Sequence, residues 1–225
     1  MFKINTDAAA IQSSGGSSFI SKSGIYPVTI KFASVDVSAK GAKQVNFNLE
    51  YNGNSQTIWG PYVYGKDGSP LNIGLDIINR LCIIAGLRNG ETPTIETETH
   101  NVGKDNKPQD FNVITDLSDL ECQIRFQQEY YKDNKGEIRS RPVIKAVFSK
   151  EGYSAAEIIK SENGESVSFG EDLKKQEKYV DKITYTDVTS EEVEAWLADK
   201  ASGNAKPAAK PAAKTVNKPA STLFV

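Results

Sequence analysis

The chain has 225 residues, 38% of them hydrophobic, with 27 basic and 29 acidic side chains and a formal net charge of -2. That length can bury one good core with room for appendages, and the low apolar share indicates that part of the chain stays outside it. One histidine, two isolated cysteines and the lack of a P-loop or GxGxxG sequence argue against triad, zinc and nucleotide-loop chemistry, so neither catalysis nor a cofactor is expected.

The near-neutral total hides an uneven distribution. Residues 151–199 hold 13 acids against five cations, and residues 200–225 hold five lysines and no acid. An acidic block followed by a basic tail is a polarity of chains that handle nucleic acid or a charged partner. No apolar run approaches the ~18 residues of a membrane span, and no charged-then-apolar layout opens the chain, so a cytoplasmic protein with no membrane partner is expected.

Residues 1–23 are rich in Ser, Gly and Ala and read as a flexible N-terminal arm. Order is expected from GIYPVTIKFASVDV, where Tyr26, Val28, Ile30 and Phe32 recur at period two and mark one buried strand face. VNFNLEY repeats the pattern with Val45, Phe47, Leu49 and Tyr51. The turn NGN leads to a third strand, TIWGPYVYG, which Pro61 must bend, bulge or confine to an edge.

SPLNIGLDIINRLCIIAGL changes to helical spacing. Ser69 and Pro70 read as N-cap and first helical position, and Gly86 as the stop. Residues 88–119, which include the only histidine, His100, read as a long polar connection with at most a short strand at 111–114. LECQIRFQQEYY and RPVIKAVFS then form a hairpin around the turn cluster Asp133, Asn134, Lys135 and Gly136. Cys82 in the helix and Cys122 in the first hairpin strand read as buried free thiols of a reducing compartment.

Three strands, one helix and a hairpin make the order of an OB-type barrel, although other small β-rich α+β domains share it. The expected fold is thus mainly β, with an OB-like barrel over residues 24–150. An acidic α/β extension over 151–200 would end in a short helix capped by Thr189 or Ser190. Residues 201–225 repeat Lys-Pro-Ala-Ala and read as a disordered tail. Its apolar tip, Leu223, Phe224 and Val225, is a candidate for binding a protein partner.

The carboxylates of TDLSDLE (Asp116, Asp119 and Glu121) have the chemistry of a divalent-cation site, but such clusters more often cap turns, and no metal is expected. Binding of single-stranded nucleic acid fits better, because it needs exposed aromatic faces and a basic groove. The third strand offers Trp59, Tyr62 and Tyr64. The hairpin offers Tyr130 and Tyr131 beside Lys132, Lys135, Arg139, Arg141 and Lys145. Seven cations against three acids over residues 125–150 exceed what a hairpin needs, and phosphate contact accounts for the excess.

With GIYPVTIKFASVDVSAKGAKQVNFNLEY, the helix LNIGLDIINRLCIIAGL and the hairpin LECQIRFQQEYYKDNKGEIRSRPVIKAVF, residues 20–150 resemble bacteriophage single-stranded DNA-binding proteins of the replication module. The resemblance implies an OB fold that sequesters single strands in the bacterial host cytoplasm during replication, recombination and repair. It also implies a C-terminal tail that recruits replication or transcription proteins. Many single-strand binders end in acids closed by an aromatic residue. Here Phe224 follows a basic linker, and the acids lie upstream, between Glu151 and Asp199.

Overall fold

Alternating apolar side chains begin the sheet. In the computed structural model, which describes residues 19–103 and 107–202, strand β1 (Gly24–Val37) turns Val28, Ile30, Ala33 and Val35 into the core. A bulge between Ile30 and Phe32 reverses the alternation. Phe32, expected on the same face as Ile30, therefore lies outside the main core cluster and stacks on His100 instead. Order also starts earlier than Gly24. Ile20, within the stretch expected to be a flexible arm, is 2% exposed, and the Gln56 side chain bonds both its N–H and its carbonyl.

Strand β2 (Lys43–Tyr51) runs antiparallel to β1 with Val45, Phe47 and Leu49 buried. Asn52 and Gly53 both have positive φ, the conformation a two-residue hairpin turn demands, and β3 (Asn54–Ile58) returns along β2. The bend expected at Pro61 is a complete break. The ladder stops at Ile58 and resumes as β4 (Tyr62–Tyr64), which is registered on the start of β2.

Helix α1 (Asn72–Ile84) packs Ile77, Ile78, Leu81 and Cys82 inward. Ser69 does not cap it. Its hydroxyl donates to Asp67, Pro70 bridges to Tyr64, and Leu71 N–H donates to the Val63 carbonyl. This short return of the ladder delays the helix until Leu71 stands at its N-cap.

The polar connection expected over 88–119 is largely a hairpin. β5 (Ile95–Val102) and β6 (Lys107–Ile114) pair antiparallel, and β6 meets β1 at Ser34 and Val113. His100 thus sits in a strand rather than a loop, its ring 4.0 Å from that of Phe32. The segment IETETHNV carries little apolar alternation, so its strand pattern was not visible. A single 3-10 turn, Thr115–Leu117, leads to β7 (Leu120–Lys132), which turns at residues 133–136 into β8 (Ile138–Ser149).

The acidic extension comprises α2 (Ala155–Glu162), α3 (Glu171–Glu177), β9 (Ile183–Thr186) and α4 (Ser190–Ala201). It joins the sheet, because β9 lies parallel to β7 from Gln128 to Tyr131. β1 covers β7 only as far as Phe126, and β9 takes up the continuation. Ser23 closes the seam: its hydroxyl donates to the Lys182 carbonyl (2.6 Å) and accepts from Gln128 N–H (2.8 Å).

The chain is mainly β, with an open and almost wholly antiparallel sheet. Among the described residues β3, β4, β5, β8 and β9 each pair with one strand alone. The tail from residue 203, its tip Leu223, Phe224 and Val225, and residues 1–18 of the N-terminal arm lie outside the described residues.

Candidate nucleic-acid interface

Gly60 organises the first group of aromatic rings. A Cβ built there would stand 1.9 Å from the Val45 carbonyl and 2.7 Å from the Phe47 ring, so only glycine lets this segment press onto β2. Two β2 side chains hold it. Gln44 Nε2 donates to the Gly60 carbonyl (3.1 Å), and Gly60 N–H donates to Asn46 Oδ1 (3.3 Å). The residues on either side of this clamp turn outward: Trp59 is 58% exposed and Tyr62 45%. Tyr64 is half-buried, with the Lys43 ammonium 5.4 Å from its ring centre. Lys43 was not a sequence candidate, and nothing local marks it, since its position opposite Tyr64 depends on the β2 and β4 register.

Close packing continues to the helix. At Gly74 a Cβ would lie 1.9 Å from the Tyr62 carbonyl, which brings the start of α1 against β4. Leu71 and Ile73 are exposed there, Ile73 by 84%. Exposed aliphatic groups therefore stand at the start of the helix that packs on the strand of Tyr62.

The hairpin differs from expectation in how its charges are used. Arg139 pairs with Asp133 (3.0 Å) and Glu137 (2.5 Å). Arg141 pairs with Glu129 (2.6 Å), and its guanidinium lies 5.0 Å from the centre of the half-buried Tyr131 ring. Lys132 reaches Glu192 of α4 (2.7 Å), and Lys150 pairs with Glu121. Burial works against ionisation of Glu129, but hydrogen bonds from Arg141 and Thr186 outweigh it and hold that carboxyl below its ordinary range. The Arg139 hydrogen bond likewise lowers Asp133. All three hairpin acids are engaged, and two more acids come from outside. Lys135 and Lys145 are exposed and make no ion pair among the described residues.

Tyr130 is covered. Its ring stacks on Tyr185 of β9 (6.1 Å, 18°) and meets Trp196 of α4 edge-on (6.0 Å, 80°), and burial raises its pKa. Neither partner was a sequence candidate, because the contacts depend on β9 docking on β7. No strand pairing joins the hairpin to Trp59, Tyr62 and Tyr64: β4 is registered on β2, and β7 on β1, β8 and β9.

The TDLSDLE carboxylates are occupied structurally. Asp116 accepts from Thr94 N–H (2.7 Å), Asp119 pairs with Lys31, and Glu121 with Lys150. Among the described residues no group of three His, Cys, Asp or Glu is placed to hold a metal ion. Cys82 and Cys122 are free and buried. Burial pushes their thiols up to about 11 and about 12, with Asp116 adding to the shift at Cys82. No protein-family model matches the chain, and no curated protein matches it either.

Proposed function

We propose that the chain binds single-stranded DNA without sequence preference, as an OB-like phage protein that protects single strands during replication, recombination and repair in the host cytoplasm. The observation that carries this reading is the outward display of Trp59 and Tyr62 on both sides of the Gly60 clamp. Two large rings in water on a backbone that side-chain hydrogen bonds hold in place are a platform on which bases of any identity stack. Lys43 beside Tyr64 adds a cation at one end. On the hairpin, Lys135 and Lys145 are the phosphate contacts this reading retains; Lys132, Arg139 and Arg141 serve mainly to hold structure. A long bulged first strand, and a helix that follows the broken third strand (β3 and β4), support the OB-like reading. The tail tip of Leu223, Phe224 and Val225 is proposed to recruit other replication or transcription proteins.

The test is fluorescence titration with a ~30-nucleotide oligothymidylate at low and moderate salt. A Trp196→Phe background leaves Trp59 as the sole tryptophan. Saturable quenching that weakens with salt, and that falls about five- to 150-fold in affinity in Tyr62→Ala, as loss of one stacked base entails, supports the reading. An unchanged signal together with no mobility shift overturns it.

A second reading is a phage structural or assembly adaptor. The observation favouring it is the pair of exposed aliphatics, Leu71 and Ile73, at the start of the helix packed on β4, since such side chains add little to base stacking and much to a protein interface. Concentration-dependent self-association lost in Ile73→Asp, with no response to oligonucleotide, selects this reading.

A further inference from the structure

Positive charge gathers around Tyr179, between α3 and β9. The Lys182 ammonium lies 4.5 Å from the centre of that ring, the Lys178 ammonium 5.0 Å, and the Arg125 guanidinium carbon 5.9 Å. Arg125 is only 7% exposed. Its Nη1 donates to the Tyr179 carbonyl (3.3 Å) and to Gln127 Oε1 (3.5 Å), and its Nε has no partner. None of the three cations pairs with a carboxylate among the described residues. Glu177 and Asp181, neighbours in the chain, are exposed and form no ion pair with them.

The other arginines behave differently. Arg80, Arg88, Arg139 and Arg141 each meet an acid. A buried guanidinium without a counter-charge is costly. The face of one phenol ring attracts cations but does not neutralise them, and like charges held close together repel. Burial also lowers the pKa of Arg125, and Tyr179 beside it offsets that only in part.

The surrounding frame is built. Gln127, which turns its carbonyl to Arg125, donates from Nε2 to Thr184 Oγ1 (2.6 Å). Lys182 N–H donates to the Tyr179 carbonyl (3.2 Å), and Ser23 fixes the Lys182 carbonyl. The Arg125 donors left over from these bonds and the two exposed ammonium groups of Lys178 and Lys182 are a donor set for an oxyanion, since Arg matches phosphate oxygens and Lys supplies point charge.

We infer that Arg125, Lys178 and Lys182 around Tyr179 form a phosphate-binding site, which takes a phosphate group either free or in the backbone of a single strand. The inference is independent of stacking on Trp59 and Tyr62.

The full chain is unfolded thermally in inorganic phosphate, in pyrophosphate and in chloride at matched ionic strength, and phosphorus NMR line width follows binding directly. The surface double variant Lys178→Gln/Lys182→Gln leaves the buried Arg125 in place and keeps the fold. The expected result is a saturable rise of about 3–6 °C in the midpoint at roughly tenfold excess over Kd, lost in the double variant and retained in Tyr62→Ala. Oligothymidylate titrations separate the sources. If the double variant lowers the salt slope by about 1.4, the strand backbone is the ligand. If the slope is unchanged while the stabilisation is lost, free phosphate is. Equal midpoints in phosphate, pyrophosphate and chloride, with an unchanged slope, overturn the site. Tyr62→Ala then still reports on the stacking proposal.

Discussion

Lys132, near the end of the hairpin strand β7, bonds Glu192 in the first turn of α4 at 2.7 Å, and the same carboxylate group caps its own helix by accepting from Thr189 N–H at 2.9 Å. One residue thus starts α4 and fastens it to the sheet, beside the Tyr130, Tyr185 and Trp196 rings. Thr189 completes the capping box by accepting from Glu192 N–H (3.2 Å).

Loss of that box loosens the extension before the core. Thr189→Ala is expected to cost about 0.5–2 kcal/mol. Hydrogen exchange should quicken across α4 and β9 while β1 and β2 keep their protection. Uniform loss of protection across the chain would show instead that the extension and the core unfold as one unit.

Acid should act at the same junction. The Lys132 hydrogen bond and then the Thr189 N–H lower the Glu192 pKa in the folded chain. A carboxyl with a depressed folded pKa stabilises above its unfolded pKa, and that contribution is lost as pH falls through the folded value. Docking of α4 is therefore expected to weaken below the ordinary glutamate range and to be insensitive to pH near neutrality. Exchange rates of α4 amides measured from neutral to acid pH, with Glu192→Gln as the reference, check the sign. An acid response that Glu192→Gln leaves undiminished assigns it to other groups.

Much of this architecture was legible in the residues, and the gaps have physical causes. Period-two runs such as Val45, Phe47 and Leu49 identified β1, β2 and the β7 and β8 hairpin, because one face of each is apolar. β5 escaped because Glu96, Thr97, Glu98 and Thr99 lie mostly outside the core and carry no alternation. For the candidate site, the exposure of Trp59 and Tyr62 follows from the glycine and proline between them, which are local. The fate of the hairpin cations is not local: Glu192 lies 60 residues from Lys132. A count of seven cations against three acids within one segment had no access to acids arriving from α4 or from Glu121. Phe32 shows the same limit, since one bulge was enough to move it across the sheet.

Gly60→Ala tests whether the aromatic display depends on close backbone approach. The added methyl would lie 1.9 Å from the Val45 carbonyl, so the strand must shift. At least the ~1–3 kcal/mol of an overpacked core should be lost in urea unfolding. Trp59 emission should change even in native buffer, because its backbone is anchored through Gly60. Wild-type stability in Gly60→Ala would mean that the β3 and β4 junction is looser than the packing indicates.

The thiols should be inert in the native state. Burial holds Cys82 at about 11 and Cys122 at about 12, so at pH 8 almost no thiolate is present, and thiolate is the reactive form. Reaction with an aromatic disulfide reagent should proceed at the rate of unfolding and accelerate with denaturant. Rapid stoichiometric modification of the native chain would contradict the burial of both.

The hairpin cations divide into two classes that mutation can separate. Arg139 and Arg141 hold Asp133, Glu137 and Glu129, so alanine at either position removes the guanidinium counter-charge of those acids, although Asp133 and Glu129 keep other donors, and should loosen the hairpin. Any loss of oligothymidylate affinity would then accompany faster exchange in β7 and β8. Lys135 and Lys145 make no ion pair among the described residues, so Lys135→Gln and Lys145→Gln should leave exchange unchanged while each lowers the slope of log affinity against log salt by about 0.7. The decisive comparison is the salt slope of the lysine double variant against that of Arg139→Ala/Arg141→Ala. A larger slope change in the arginine pair, at unchanged exchange, would mean that those guanidinium groups leave their carboxylates to bind phosphate, and that the ion pairs hold them in reserve.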